Sequence, residues 1–245
     1  MQSSGNTILI TGGGSGIGAA LAHEFHAAGN QVIIAGRRQA ALDVVVADNP
    51  GMAAMTLDME DPAAIQDFAE KLVTDFPALN AVLLNAGIMV AEEKIDLAIA
   101  EATIATNLLG PIRLAHALLP HLETQPAATI LTVSSGLAFV PLAATPTYCA
   151  TKAAIHSWSI SMREQLKATG VDVVEIVPPG VQTDLMPGHA ENAQMMPLAD
   201  FISETMGLLR QQPTPAEIHV ERVKFLSEAT KRGEFAQVFK MLNQH

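Results

Sequence analysis

The chain has 245 residues, 49% of them hydrophobic, and a formal net charge of −11 at pH 7. This length suffices for one large domain with a sizeable core, and the acidic balance argues against a nucleic-acid partner, because phosphate binding needs clustered Lys and Arg. The one cysteine, Cys149, excludes an intrachain disulfide. Without a secretion signal in residues 1–5 or an uninterrupted apolar span, the sequence predicts a cytoplasmic protein with no membrane association.

Short apolar runs alternate with helix-length segments along the chain. The runs lie at residues 7–11, 31–35, 53–57, 81–84, 128–133 and 171–177. They are apolar at nearly every position, as expected for strands that helices cover on both faces. The alternation predicts an α/β protein, a doubly wound Rossmann fold with a parallel sheet of six to seven strands.

The segments between these runs predict helices. Their expected ranges are residues 16–28, 39–47, 62–75, 98–123 and 147–169. Pro111 is expected to kink the fourth helix. No repeat or linker divides the chain, so a single domain over residues 1–245 is predicted, with 185–215 as a substrate lid and 216–245 as a C-terminal tail.

A glycine-rich turn, residues 11–18, joins the first strand to the first helix. Such a turn points unpaired backbone N–H groups and the positive end of a helix at one spot, where pyrophosphate can bind. The spacing of Gly12, Gly16 and Gly18 predicts a dinucleotide cradle, with an ordinary glycine-rich turn as the alternative. Further motifs follow the other strands, and the carboxyl ends of parallel strands meet at one edge of a sheet.

Tyr148 and Lys152 are four positions apart on a predicted helix and therefore share a face. A tyrosine hydroxyl has a pKa near 10, and a nearby ammonium favours its ionised form. The pair predicts a general acid/base, the pKa of Tyr148 being lowered by Lys152. The alternative is a structural tyrosine beside a solvated lysine.

Five motifs in order resemble the short-chain dehydrogenase/reductase family over about residues 6–185. They are the glycine-rich turn, Asn85-Ala86-Gly87, Asn107, Ser135, and Tyr148-x-x-x-Lys152. The resemblance implies an oxidoreductase that moves a hydride between a nicotinamide and a carbonyl or secondary alcohol. Tyr148 would exchange a proton with the substrate oxygen, and Ser135 would hydrogen-bond that oxygen. Lys152 would bind ribose hydroxyls, and Asn107 would hold a water that links the lysine to solvent.

The same resemblance implies a set of cofactor contacts. These are Gly12, Gly14, Ser15, Gly16, Ile17, Gly18, Asp58, Met59, Asn85, Ala86, Gly87, Tyr148, Lys152, Pro178, Gly180, Val181 and Thr183. Asp58 matches an aspartate that accepts from the adenine amino group, the alternative being an acid before the helix that starts at Pro62. Leu84 departs from the family pattern, because many members carry a second asparagine there.

The end of the second predicted strand carries Arg37 and Arg38 in place of the acid that would bond a ribose 2′-hydroxyl. Guanidinium groups bind phosphate bidentately, so NADP(H) is predicted in preference to NAD(H), which stays possible. Arg37 is the first candidate for the 2′-phosphate and Arg38 the second. The alternative is a solvated arginine pair that opens a helix.

Beyond Leu185 the resemblance ends, and it does not identify the residues of the substrate pocket. Apolar residues after Ser135 suggest an apolar wall, and so do methionines near residues 186–206, which ordinary packing would also explain. The long helices are expected to form the face of a homodimer or homotetramer. His23 and His26 lack a third ligand, so no metal site is predicted. The rival function is a catalytically idle nucleotide sensor or scaffold.

Overall fold

Seven parallel strands form one sheet in the computed structural model, which describes residues 2–94 and 96–244. The strands are β1 (Thr7–Thr11), β2 (Gln31–Gly36), β3 (Ala53–Thr56), β4 (Leu79–Leu84), β5 (Ala128–Val133), β6 (Val171–Val177) and β7 (Glu217–His219). Their order is β3-β2-β1-β4-β5-β6-β7, every neighbouring pair being parallel. This order confirms the predicted doubly wound fold, and its direction of winding reverses between β1 and β4.

Nine helices flank the sheet in the described part of the chain. They are α1 (Gly16–Ala27), α2 (Gln39–Asp48), α3 (Pro62–Asp75), α4 (Leu97–Ile104), α5 (Gly110–Leu122), α6 (Pro146–Gln165), α7 (Leu198–Leu209), α8 (Lys224–Ser227) and α9 (Phe235–Leu242). Short 3₁₀ turns follow β5 and β7. Among these residues no helix combines the length and apolarity that crossing a membrane requires.

The segment expected to be one helix over 98–123 consists of α4 and α5 joined by a π-helical turn, Ala105–Leu109. Pro111 is the second residue of α5 and does not kink the middle of a helix. Pro111 has no backbone N–H and cannot donate the hydrogen bond that would continue the α-helix, and the wider π-helical turn lies directly before α5. The π turn places Asn107 where its side chain is buried.

Alternate residues of each central strand pack into one of two cores. Ile8 and Ile10 of β1 face a core that includes residues of α1, α2 and α7, whereas Leu9 faces one that includes residues of α3, α5 and α6. All three side chains are fully buried, as expected for strands covered on both faces. The sheet is thus a rigid platform whose strand ends hold the polar motifs.

The segment after β6 contains two structurally distinct parts. Residues 182–195 form turns, closed by a bridge between Val181 and Met196, and several of them line the cavity described below. Helix α7 instead packs into the core through Phe201 and Met206. Of the residues 185–215 that we expected to form a lid, only the first part borders the site.

Candidate active site

The carboxyl ends of β1, β4, β5 and β6 surround one groove. Its larger part is a cavity of about 470 Å³ bordered by Ser135, Tyr148 and Lys152. A hollow of about 270 Å³ continues it past the end of β2, and the two share Gly12 and Gly87 as lining residues. The predicted motifs therefore lie along one groove long enough to take an extended ligand.

The glycine-rich turn packs too tightly for side chains. A Cβ atom on Gly18 would lie 2.3 Å from the carbonyl oxygen of Gly12. Gly12 itself has a φ of 68°, and a Cβ there would be 2.9 Å from the Cα of Ala86. Ser15, at the start of α1, makes no capping hydrogen bond within the described chain, so its hydroxyl and the first N–H groups of α1 are available to an anion.

Thr11 and Asn85 fasten the turn to the end of β4. The Thr11 Oγ1 atom accepts from the backbone N–H of Asn85 at 3.0 Å and of Ala86 at 3.1 Å, and the Asn85 Nδ2 donates to the Thr11 carbonyl at 3.0 Å. These bonds span the point where the winding of the sheet reverses. They give Asn85 a bracing role between β1 and β4, and Asn85 also borders the cavity.

Asp58 and Met59 border the hollow at the end of β2. The Asp58 carboxylate is exposed and accepts from the N–H of Glu60 at 3.0 Å, which fixes its orientation. Met59 is 4% exposed and packs beneath the hollow. A carboxylate and a thioether that border one hollow can contact the edge and the face of a purine ring.

Arg37 and Arg38 border both parts of the groove but differ in their partners. The Arg37 Nη1 atom lies 3.3 Å from a carboxylate oxygen of Glu60, which also accepts from the Thr106 hydroxyl at 3.0 Å. Arg38 forms no ion pair with any described residue. An exposed pair of this kind contributes about 0–1 kcal/mol, so a phosphate dianion can displace Glu60 from Arg37.

Helix α6 carries Tyr148 and Lys152 into the cavity. The Glu92 carboxylate holds the start of this helix by accepting from the Thr147 N–H at 2.9 Å and hydroxyl at 2.8 Å. The Lys152 Nζ atom lies 5.5 Å from the centre of the Tyr148 ring and donates to the Val133 carbonyl at 2.8 Å. Both side chains are buried, so their charged forms are poorly solvated.

Burial dominates the proton affinities at this centre. It raises the pKa of Tyr148 well above the ordinary value, although a hydrogen bond with Ser135 acts in the opposite direction. It also lowers the pKa of Lys152 to about 8. The pKa of Tyr148 is therefore raised and not lowered as expected, because burial of the phenol dominates. Tyr148 holds a proton that it can donate.

Ser135 and Asn107 approach the same pair from two further elements. The Ser135 Oγ atom accepts from the Leu137 N–H at 3.1 Å and is hydrogen-bonded to Tyr148. The Asn107 side chain accepts from the Ile88 N–H and donates to the Ile88 carbonyl, both at 2.8 Å. Its amide nitrogen also lies 3.3 Å from the Thr151 hydroxyl. Asn107 thereby ties the π turn to the loop after β4.

The segment after β6 closes the remaining side of the cavity, which is lined there by Pro178, Gly180, Val181 and Thr183. The Pro178 carbonyl accepts from the Gly136 N–H at 2.8 Å, joining this segment to the residue after Ser135. Gly16 and Ile17 border the cavity from the opposite side. Every predicted site residue except Asn107, Asp58, Met59, Gly14 and Gly18 lines this cavity, and Asp58, Met59 and Gly14 line the adjoining hollow.

A buried polar network behind Ser135 was missed by our sequence analysis. Glu175 is fully buried on β6, accepts a short hydrogen bond from Ser134, and lies 2.9 Å from the His156 Nδ1. The hydrogen bond between His156 and Glu175 raises the pKa of His156. A carboxylate oxygen of Glu217 lies within 4.8 Å of the ligand atoms of His156 and Glu175. The Arg163 guanidinium, 3.8 Å from Glu217, partly offsets the negative charge of the two carboxylates. The available signal was an acid, Glu175, between apolar residues near the end of β6.

Comparison with known proteins agrees with this geometry. The family model described as "short chain dehydrogenase" matches residues 6–194. The "Uncharacterized oxidoreductase DltE" of Bacillus subtilis (strain 168) is 36% identical over 254 aligned positions, covering 99% of this chain and 98% of that relative. The "NADPH-dependent 1-acyldihydroxyacetone phosphate reductase" of Schizosaccharomyces pombe is 30% identical, covering 95% of this chain and 81% of the relative.

A solved short-chain dehydrogenase from Streptomyces avermitilis superposes with a TM-score of 0.83 at 25% identity and covers 96% of each chain. The family match, the strand order and the motifs on one sheet edge all agree. The chain therefore belongs to the short-chain dehydrogenase family, whose members are NAD(P)-dependent enzymes that act on alcohol and carbonyl groups.

Proposed function

We propose that the protein transfers a hydride between NADP(H) and the carbonyl or secondary alcohol group of an apolar small molecule, with Tyr148 as general acid/base. The observation that carries this proposal is the convergence of Ser135, Tyr148 and Lys152 on one cavity that also contains the glycine-rich turn. The turn fits a dinucleotide, because Gly12 and Gly18 let it pack tightly against the end of β4 while the first N–H groups of α1 stay free of a side-chain cap.

The roles of the side chains follow from their proton affinities. When bound, the nicotinamide supplies the hydride. The Ser135 hydroxyl donates a hydrogen bond to the substrate carbonyl, and Tyr148, which burial keeps protonated, delivers a proton to the same oxygen. Lys152 then stabilises the phenolate that is left. Its pKa of about 8 means that the ammonium is largely present at neutral pH.

The preference for NADP(H) is supported by Arg37 and Arg38, which directly follow β2 at the position where an acid would bond a ribose 2′-hydroxyl. Two guanidinium groups suit a 2′-phosphate, and the Schizosaccharomyces pombe relative is NADPH-dependent by name. Glu60 is the competing group, since it holds Arg37 when no phosphate is present.

The apolar character of the substrate is supported by the surroundings of Tyr148. Met89, Tyr148 and Cys149 form a buried cluster against which Leu137 and Leu142 pack. The Schizosaccharomyces pombe relative acts, by its name, on a substrate that carries a phosphate, and we do not propose that substrate for this chain. The cation beside this cluster, the Lys152 ammonium, is already bonded to the Val133 carbonyl.

We further propose a cytoplasmic homodimer or homotetramer. Helix α4, the π turn and α6 present apolar side chains to solvent, among them Leu97 at 68%, Ile104 at 39% and Ile160 at 45% exposure. Apolar surface of this kind is stabilised when a second copy covers it. Sedimentation that shows only monomer at micromolar concentration would contradict the oligomer.

A carbonyl screen tests the central proposal. NADPH oxidation is followed with a panel of ketones and aldehydes for the wild-type protein and for Tyr148→Phe, which keeps the ring and removes the hydroxyl. We expect turnover in the wild type and a loss of about 10²–10⁴-fold in the variant, with NADPH binding retained. Nucleotide binding without turnover of any carbonyl or alcohol would favour an idle nucleotide sensor instead.

A further inference from the structure

The C-terminal helices reach the active-site cavity although they lie outside the family match, which ends at residue 194. Leu226 of α8 and Leu242 of α9 line the same cavity as Ser135 and Tyr148. We refer to α8, α9 and the turns between them, residues 224–242, as the C-terminal wall. Its position makes it part of the substrate site.

The C-terminal wall is fixed to the residues that follow Ser135. A Cβ atom on Gly136 would lie 2.9 Å from both Leu226 Cδ1 and Val223 Cγ2, so this glycine permits close approach of the wall. Val140 is fully buried in a small core with Ala229 and Val238 of the wall. Leu226 is thus held directly beside the catalytic serine.

Asn243 secures the far end of the wall. Its side-chain oxygen accepts from the Ala143 N–H at 2.6 Å, and its amide donates to the Pro141 carbonyl at 3.1 Å. These bonds bracket Leu142, which packs against Tyr148 and Cys149. Leu142 and Leu242 therefore border the cavity from two segments that Asn243 holds together.

The charges around the cavity define which substrates this end can accept. Arg37 and Arg38 lie at the end of β2, three strand spacings or roughly 14 Å from the end of β5, where Ser135 follows. At the substrate end the cation among the described lining residues is Lys152, which is bonded to Val133. Asp184 adds a negative charge, and burial lowers the pKa of His189, which favours its neutral form.

We propose that the C-terminal wall is the specificity-determining element of the cavity, and that its substrates are uncharged carbonyls and alcohols with an aliphatic or aromatic body. Leu226 and Leu242 bound the space for that body. The cation at this end, Lys152, is already bonded to the Val133 carbonyl, whereas Arg37 and Arg38 line the cavity at its far end, beside β2. This inference rests on the proposed function, because it assumes that the substrate oxygen is held by Ser135 and Tyr148.

Matched leucine variants test the wall. The ratio of kcat/KM for long and short straight-chain 2-ketones is measured for Leu226→Ala and Leu242→Ala. The neighbouring exposed residues supply controls, Phe225→Ala and Met241→Ala, which are 49% and 54% exposed in the wild type. We expect both leucine variants to shift the ratio toward longer ketones by about tenfold or more, and the controls to leave it as in the wild type.

Charge selectivity is tested with ligands of equal length. Neutral 2-ketones should react at least tenfold more efficiently than the same ketones carrying a terminal carboxylate. Leu242→Lys places a cation at the partly exposed rim, and should reduce that discrimination by up to about fivefold, whereas Met241→Lys should not. A wild-type preference for the carboxylated ketones would overturn the assignment of an uncharged substrate.

A binding measurement separates this proposal from the oxidoreductase function. Secondary alcohols of the same lengths are titrated into the complex with NADPH, and quenching of nicotinamide fluorescence gives Kd without turnover. If Kd depends on alcohol length differently in the leucine variants than in the wild type, the role of the C-terminal wall is supported. If no carbonyl is turned over in the same preparation, the oxidoreductase function is rejected separately. An unchanged length dependence in both leucine variants would overturn the wall even if turnover is normal.

Discussion

The Lys152 ammonium donates a hydrogen bond to the Val133 carbonyl at 2.8 Å and so joins α6 to the end of β5. The lysine is 5% exposed, and burial lowers its pKa to about 8. The bond holds a cation beside Tyr148 at a place where a charge is poorly solvated. Holding this charge for the proposed function therefore acts against the stability of the fold.

We predict that Lys152→Met abolishes turnover and makes the protein more stable at pH 7. The folded-state pKa of Lys152 is about 8 and its ordinary value is 10.5, so the unfolded chain binds more protons in this interval. Wild-type stability should therefore rise relative to the variant between pH 8 and 10.5, by roughly 3 kcal/mol in total. Urea unfolding at several pH values measures this difference.

The control for that experiment is Lys167→Met, at an exposed lysine just after α6 whose side chain is 74% exposed. It should show no comparable dependence on pH relative to the wild type. A Lys152→Met protein that is less stable than the wild type by the same amount at pH 7 and pH 10 would contradict a buried, costly ammonium.

We predict that Gly18→Ala weakens NADPH binding. The added Cβ would lie 2.3 Å from the Gly12 carbonyl oxygen, so the turn has to shift. Such overpacking costs about 1–3 kcal/mol, which corresponds to roughly fivefold to 150-fold in Kd if it falls on the bound state. Gly207→Ala on α7 serves as control, because no atom lies within 4 Å of its added Cβ. Equal NADPH affinity in Gly18→Ala and wild type would exclude the turn as the cradle.

We predict that Glu175→Gln lowers the pKa of His156 toward the ordinary value. The hydrogen bond with Glu175 raises it in the wild type, with Glu217 acting in the same direction and Arg163 against it. The stabilisation from this pair is complete below pH 6.5 and is lost as pH rises through the raised pKa. The variant should lose about 1–3 kcal/mol at pH 6. Proton NMR titration of His156 measures the pKa, and an unchanged value would contradict the pairing.

We predict that Glu60→Gln increases the preference for NADPH over NADH, because it releases Arg37 from the 3.3 Å ion pair. The increase should be up to about fivefold, as expected from an exposed pair. Arg37→Ala should reduce the preference about tenfold or more through loss of a charged hydrogen bond. The ratio of kcat/KM for the two cofactors gives the answer. A clear NADH preference that persists in Arg37→Ala would reject NADP(H).

The sheet and its binding edge could be predicted because each rests on a local pattern. Continuous apolar runs such as β1 signal burial on both faces, and the carboxyl ends of parallel strands coincide whatever the loops do. Tyr148 and Lys152 were paired by helical spacing and by the resemblance of their motif to the family. Their proton affinities were not predictable, because burial of both groups depends on how α6 packs against the end of β5.

Other features arise from contacts between distant segments. The π turn at residues 105–109 has no distinct hydrophobic period, so the sequence suggested a continuous helix. The partners of Glu175 lie just after β5 and on α6, at residues 134 and 156, and the sequence does not show which acid of β6 is buried. The contact of Leu226 with Gly136 joins positions ninety apart, which no local pattern encodes.

Transfer of label from deuterated NADPH tests the central claim most directly. NADPH carrying deuterium at the reacting carbon is mixed with a neutral ketone, and the alcohol product is analysed by mass spectrometry for the wild type and for Tyr148→Phe. We expect one deuterium on the product carbinol carbon with the wild type, and product formation reduced about 10²–10⁴-fold in the variant. Tight NADPH binding with no label in any product, or equal labelling by both proteins, would contradict hydride transfer assisted by Tyr148.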